Sequence, residues 1–115
     1  MKLYAWNQVV EEQLNPSMIR RMISGATMTM ARLRFKKGYT VPTHSHANEQ
    51  ITTIEQGAML FVTPTDRITV REGESLVIPP HVPHSAEVLE DCVAVDIFSP
   101  VREDWVRGDD AYLRR

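Results

Sequence analysis

A single cysteine, Cys92, stands in the 115 residues, so no intrachain disulfide can form and no oxidising compartment is called for. No window approaches the roughly 20 apolar residues of a membrane-crossing helix. The opening MKLYAWNQVVEEQL carries acids and glutamines where a secretory leader needs an apolar run. A soluble, cytoplasmic protein without a membrane partner is therefore expected. Charge of one sign is also lacking: 13 Lys and Arg face 15 Asp and Glu, and the net −2 gives no electrostatic case for nucleic acid. Repeats at a fixed period and low-complexity segments are absent as well.

What remains is one domain's length, residues 1–115, with 43% hydrophobic residues to build a core. Short apolar or alternating runs are broken by Gly, Pro and Asp, a β pattern. They are MIRRMI (18–23), TMTMARLRF (27–35), EQITTIE (49–55), AMLFVT (58–63), RITV (67–70), ESLVIP (74–79), HSAEV (84–88) and CVAVDIFS (92–99). Eight short strands at this spacing predict an all-β sandwich or barrel over about 18–99, with a tail at 100–115. Helix is expected only at the ends. Trp6, Val9, Val10, Gln13 and Leu14 form an amphipathic turn stopped by Pro16. Ser99 can cap a short helix with Pro100 in its first position and Glu103 and Asp104 in its first turn.

The four histidines are His44, His46, His81 and His84. Side chains alternate along a strand, so His44 and His46 project to one face. If the extended phase survives Ala47-Asn48, Gln50 shares that face and Glu49 points away. His84, at the start of another run, can bring a further ligand from a neighbouring strand. A lone histidine in a small β domain is ordinarily surface or hydrogen-bonded core. Two at i and i+2 with a third in a similarly punctuated segment favour a metal site.

Gly38-Tyr-Thr-Val-Pro-Thr-His44-Ser-His46-Ala-Asn-Glu-Gln50, closed by Gly57, resembles the first motif of the cupins. Gly73-Glu-Ser-Leu-Val-Ile-Pro79-Pro-His81-Val-Pro-His84 resembles the second, whose final histidine completes the metal site. The resemblance implies a double-stranded β-helix, a small jelly-roll barrel with the metal inside. Two departures stand out. Gln50 occupies the slot where cupins usually carry a glutamate, and Glu49 lies one residue early. His81 replaces the usual glycine of the second motif and reads as a left-handed turn residue rather than a ligand.

A set of three histidines and one glutamine keeps the full 2+ charge on the ion. Two histidines and a carboxylate are the usual home of oxygen-activating iron. An amide in place of the carboxylate suits a Lewis acid better. Zn, Ni, Mn, Fe and Cu all remain open as the one divalent metal.

In CVAVDIFS, Asp96 shares a strand face with Ala94 and Phe98, an acid amid apolar neighbours. It is either a structural acid bonded to arginine or backbone, or an acid/base group beside the metal. DIFSPVREDW (96–105), together with Glu49-Gln50, resembles the pectin-degradation cupins called KdgF. That resemblance implies a metal held by His44, His46, Gln50 and His84, with Asp96 and Phe98 in the active site. It further implies an enzyme that linearises 4,5-unsaturated uronates, a small carboxylated substrate. Arg20, Arg21, Arg32 and Arg34 are candidate partners for such a carboxylate, although solvated surface is expected for any one of them.

Other features read structurally. Met18, Met22, Met28, Met30 and Met59 are core or cavity lining, and Cys92 is a small buried hydrophobe. Arg102-Glu103-Asp104 is a surface ion cluster or a helix start. Trp6, Trp105 and Tyr112 lie near the termini, and exposed there they would suit a homodimer interface. Against the isomerase stand two alternatives: an Fe(II)-dependent dioxygenase, favoured if Glu49 is the ligand, and a non-catalytic binder of a small acid.

Overall fold

The computed structural model describes residues 1–115. Eight antiparallel strands form one sheet: β1 (Glu12–Asn15), β2 (Met18–Ser24), β3 (Thr29–Phe35), β4 (Thr40–His44), β5 (Glu49–Val62), β6 (Arg67–Arg71), β7 (Ser75–Ile78) and β8 (His84–Ser99). The main path is β1-β2-β3-β8-β5-β6, with β4 against β8 and β7 against β5. The all-β jelly-roll barrel is thus present, with short helical segments only at the ends.

Two long strands make the barrel. The first half of β5 pairs with β7 and its second half with β6, while β8 runs alongside it throughout. On its other side β8 pairs with β4 through its first half and with β3 through its second. Each long strand therefore belongs to both walls, and the cavity lies between them. The expected runs 49–55 and 58–63 are one strand, as are 84–88 and 92–99. Gly57 reads as a break, but φ of 85° lets β5 bulge there instead of ending. A Cβ at Gly57 would strike the Asp91 carbonyl of β8, so only glycine allows the two strands to stay paired.

The termini differ from expectation. Residues 6–14 form no helix beyond a 3₁₀ turn at Trp6–Gln8; the chain then enters β1, where Glu12 pairs with Arg20 of β2. The buried Arg20 gains an ion partner in Glu12 there, and sheet pairing overrides the weak helical periodicity. Ser99 caps nothing: β8 continues through it, and its hydroxyl donates to the Thr27 carbonyl at 3.0 Å. Helix α1 (Glu103–Val106) begins after Arg102 instead. Trp105 and Tyr112 are not exposed aromatics, because Trp105 is buried and Tyr112 packs against the core.

Alternation along β2 and β3 sorts the arginines. Arg32 and Arg34 face outward, while Arg20 shares the inner face with Met18 and is completely buried. Its Nη2 donates to Asp110 Oδ2 at 2.7 Å and its Nε to Glu12 Oε1 at 3.1 Å. Its Cζ lies 4.5 Å from the Trp105 ring centroid. Solvated surface is thus wrong for Arg20, which ties the C-terminal segment to the barrel. Met28 is exposed, whereas Met18 and Met59 are core.

Candidate metal centre

His44 ends β4 and His84 begins β8, and the two residues are paired in register. The even phase persists across the irregular stretch 45–48, so that His44, His46, Asn48 and Gln50 turn inward. Asn48 holds the stretch in place by donating to the Val101 carbonyl at 3.3 Å. Glu49 is exposed and faces away. The His81 backbone N–H donates to the His46 carbonyl at 2.8 Å, joining the two histidine segments. His81 itself has φ of 67°, is exposed and is no part of the cluster.

The imidazole nitrogens of His44, His46 and His84 that can ligate lie within 4.8 Å of one another, so the three histidines can hold a metal ion. Their hydrogen bonds decide which nitrogens those are. His44 Nδ1 meets the Pro42 carbonyl at 2.7 Å, His46 Nδ1 the Asn48 carbonyl at 3.0 Å and His84 Nδ1 the Val82 carbonyl at 2.8 Å. A carbonyl only accepts, so each Nδ1 carries the hydrogen and each Nε2 presents a lone pair. His84 Nε2 is buried with no partner.

Gln50 adds a fourth donor atom in space. Its Nε2 donates to Thr52 Oγ1 at 2.8 Å, and the Thr52 hydroxyl in turn donates to Asp96 Oδ1 at 2.7 Å. That fixes the amide so that Oε1 faces His46 Nε2, 3.1 Å away. Two acceptors facing each other at this distance repel unless a cation lies beside them. A doubly protonated His46 is not the answer. Burial, with the Arg102 charge nearby, pushes its pKa down to about 4. Burial likewise lowers His44 to about 4 and lowers His84, so all three are neutral near pH 7. Converging lone pairs without hydrogens fit a divalent ion with nitrogen and oxygen ligands.

Asp96 sits at the other end of the same hydrogen-bond chain, in the middle of β8. Burial raises its pKa to about 6, against the Thr52 hydrogen bond and the Arg102 charge, which both lower it. Only Oδ1 is bonded to the protein. Phe98, two residues on, meets the His46 ring edge-on with centroids 5.7 Å apart and the Trp105 ring at 5.0 Å. It walls the cavity rather than lying in the outer surface.

Thr52, Arg102 and Tyr112 escaped the sequence reasoning as residues of this site. Arg102 is not a surface charge but is buried, stacked on Trp105 and Phe98 at 4.1 and 4.7 Å from the ring centroids. Its Nε and Nη2 donate to the two Asp104 oxygens, both at 2.9 Å, while Nη1 is buried without a partner. Asp96, Phe98, Arg102 and Tyr112 line one interior cavity with His44, Gln50 and His84; its volume is about 40 Å³. The signal was the Asp104 fork two residues from Arg102, but nothing in the chain order said which way the pair would turn.

Residues 31–98 match the family described as Cupin_2: Cupin domain. Among solved structures, KdgF from a Halomonas species is 24% identical, with 90% of this chain and 99% of that one aligned at a TM-score of 0.82. An RmlC-like cupin from Shewanella frigidimarina is also 24% identical, with 91% and 96% aligned at 0.84. A variant of Bacillus subtilis oxalate decarboxylase is 16% identical over 84% of this chain but only 29% of its own, at 0.78. Likeness at these identities is likeness of fold. No curated protein matches the chain.

Proposed function

We propose, on the premise that the chain belongs to the cupin domain family, that it is a metal-dependent enzyme opening a small unsaturated uronate to its linear keto form. His44, His46, His84 and Gln50 would hold one divalent metal. Bound there, the ion supplies a Lewis acid that stabilises negative charge on a substrate oxygen. The observation that carries the proposal is the chain His46–Gln50–Thr52–Asp96, with a cation point at one end and a carboxyl of pKa about 6 at the other. An acid/base group is most effective when its pKa is near the working pH.

Each remaining group has a task in such a reaction. Arg102 Nη1 pairs with the substrate carboxylate, which satisfies the one donor its neighbours leave free. Asp96 takes the proton of the hemiacetal hydroxyl as the ring carbon–oxygen bond breaks, and a proton returns to carbon at the far end of the resulting enolate. The number of protons is unchanged, as an isomerisation requires. Phe98 shapes the wall and keeps water from Asp96.

A homodimer belongs to this reading, supported by exposed Leu3, Val10 and Val106 around one shallow groove rather than by the aromatics. A cytoplasmic setting suits the single, unpaired Cys92; no helix is long and apolar enough to cross a membrane. The test is turnover of 4,5-unsaturated galacturonate by metal-loaded protein, followed through the ultraviolet absorbance of its conjugated double bond. The expected result is loss of that absorbance, abolished by chelation. Unchanged absorbance across Zn, Ni, Mn, Fe and Cu loadings rejects the reaction. Oxygen uptake coupled to substrate loss would point to the dioxygenase instead, and an acid recovered intact from a tight complex would point to a binder.

A further inference from the structure

We infer that Tyr112 is a substrate-binding residue, whose hydroxyl donates a hydrogen bond to an oxygen of the bound acid. This rests on the cavity being the substrate site, as proposed above. Tyr112 lies ten residues beyond Arg102 and reaches the cavity on the 3₁₀ turn Ala111–Leu113. Its ring packs on His44 with centroids 5.0 Å apart. Its oxygen receives two hydrogen bonds, from Arg102 Nη2 at 3.1 Å and from Trp105 Nε1 at 3.2 Å.

Those two donors occupy both lone pairs of the phenol oxygen. The Tyr112 hydrogen therefore has to find an acceptor elsewhere, and it donates to none of the protein's own groups. A half-buried hydroxyl held in place from two sides, with its hydrogen unspent beside a cavity, is arranged to donate to a ligand. Arg102 Nη1 and His84 Nε2 are two further polar atoms left without partners at the same cavity. Together they form a cation for a carboxylate, a place for a metal, and a neutral donor for a hydroxyl or ring oxygen.

A buried ion pair outside the cavity holds this turn in position. Asp110, two residues before Tyr112, accepts from Arg20 Nη2 at 2.7 Å and from Arg114 Nε at 2.7 Å. Arg114 also reaches Glu12 Oε2 at 3.1 Å. Arg20 and Asp110 are thus positioning residues for Tyr112 and touch no substrate. Leu113 in the core, whose carbonyl accepts from Asn15 Nδ2 at 2.7 Å, fixes the other end of the turn.

The experiment compares wild type and Tyr112→Phe, each loaded with the same metal, by calorimetric titration with three unreactive acids: galacturonate, glycolate and acetate. Phenylalanine keeps the ring against His44 and deletes only the hydroxyl, so metal content should be unchanged, while the melting temperature should fall by several degrees because Arg102 Nη2 and Trp105 Nε1 lose their acceptor. Galacturonate should bind about tenfold more weakly to the variant, the loss of one hydrogen bond. Wild type should prefer glycolate, which carries a hydroxyl, over acetate, and the variant should lose that preference. A purely structural tyrosine would not move the glycolate-to-acetate ratio. Equal affinities in the two proteins overturn the inference, and so does a wild type that binds neither galacturonate nor glycolate. A wild type that binds galacturonate yet fails to turn over the unsaturated uronate rejects the proposed reaction alone.

Discussion

The two sides of the cavity are held together in opposite ways. On the sheet side, the rings of His44, His46 and His84 are each oriented by a backbone carbonyl two residues away, at Pro42, Asn48 and Val82. On the tail side, Asp104 holds the Arg102 fork locally, but the remaining partners are remote. The Arg102 backbone N–H donates to Thr29 Oγ1 across 73 positions, and Asp110 meets Arg20 across 90. The sheet side offers neutral lone pairs; the tail side offers a cation and a phenol. Local bonds can set a ligand ring with little help from the rest of the chain, whereas a buried charge demands a counter-charge from wherever the fold can bring one.

The sharpest division to test is between ligation and proton transfer. Asp96→Asn should lower turnover of the unsaturated uronate roughly 10²–10⁴-fold while metal content, read by elemental analysis, stays at the wild-type level. Loss of the metal together with activity would place Asp96 on the ligand side of the cavity and erase the distinction. Wild-type turnover would remove Asp96 from the chemistry.

Next in size is the link between tail and barrel. Asp110→Ala leaves Arg20 buried with only the partly exposed Glu12. Unfolding by denaturant should show a loss of about 3 kcal/mol, at the low end for a broken buried pair because Glu12 remains. Metal affinity should change far less, since the histidine rings are oriented locally. A smaller effect is expected at Arg102, where Arg102→Met should weaken galacturonate binding by roughly 10–100-fold, the worth of a charged hydrogen bond. Equal binding would assign Arg102 to structure alone.

The last expectation concerns acid. Unfolded histidines take up protons near pH 6.5, whereas His44 and His46 in the fold resist until about 4. Their contribution to stability is thus complete above 6.5 and is lost as the pH falls toward 4. Asp96, raised to about 6, acts the other way and favours the fold as pH falls through 6 toward its ordinary value. Three lowered histidines outweigh one raised acid, so the metal-free protein should melt at least about 5 °C lower at pH 5 than at pH 7. Asp96→Asn should steepen that fall by removing the opposing group. A flat melting profile between pH 5 and 7 would show that the histidines are not held neutral by burial.

Much of the fold was legible because β structure repeats every two residues. The shared face of His44 and His46 and the inward set Ala94, Asp96 and Phe98 follow from that period, while Gln50 inward and Glu49 outward also depend on the irregular stretch 45–48 keeping the phase. Turn chemistry was harder to read: Gly57 looked like an end and is a bulge, because only the close passage of Asp91 reveals why glycine is there. The N-terminal segment was misread for a related reason, since its pairing partner Arg20 lies outside the local window.

By itself, then, the sequence determined what depends on neighbours in the chain: the alternating strands, His44 and His46 on one face, and the acid placed among apolar residues on the last strand. Only the tertiary structure decided where Arg20, Arg102 and Tyr112 would lie. Their surroundings come from Thr29, Glu12, Trp105 and Asp110, brought together by the closure of the barrel. Alternation reports which face a side chain takes, but the burial of a charge is settled by the counter-charges and rings that other segments supply.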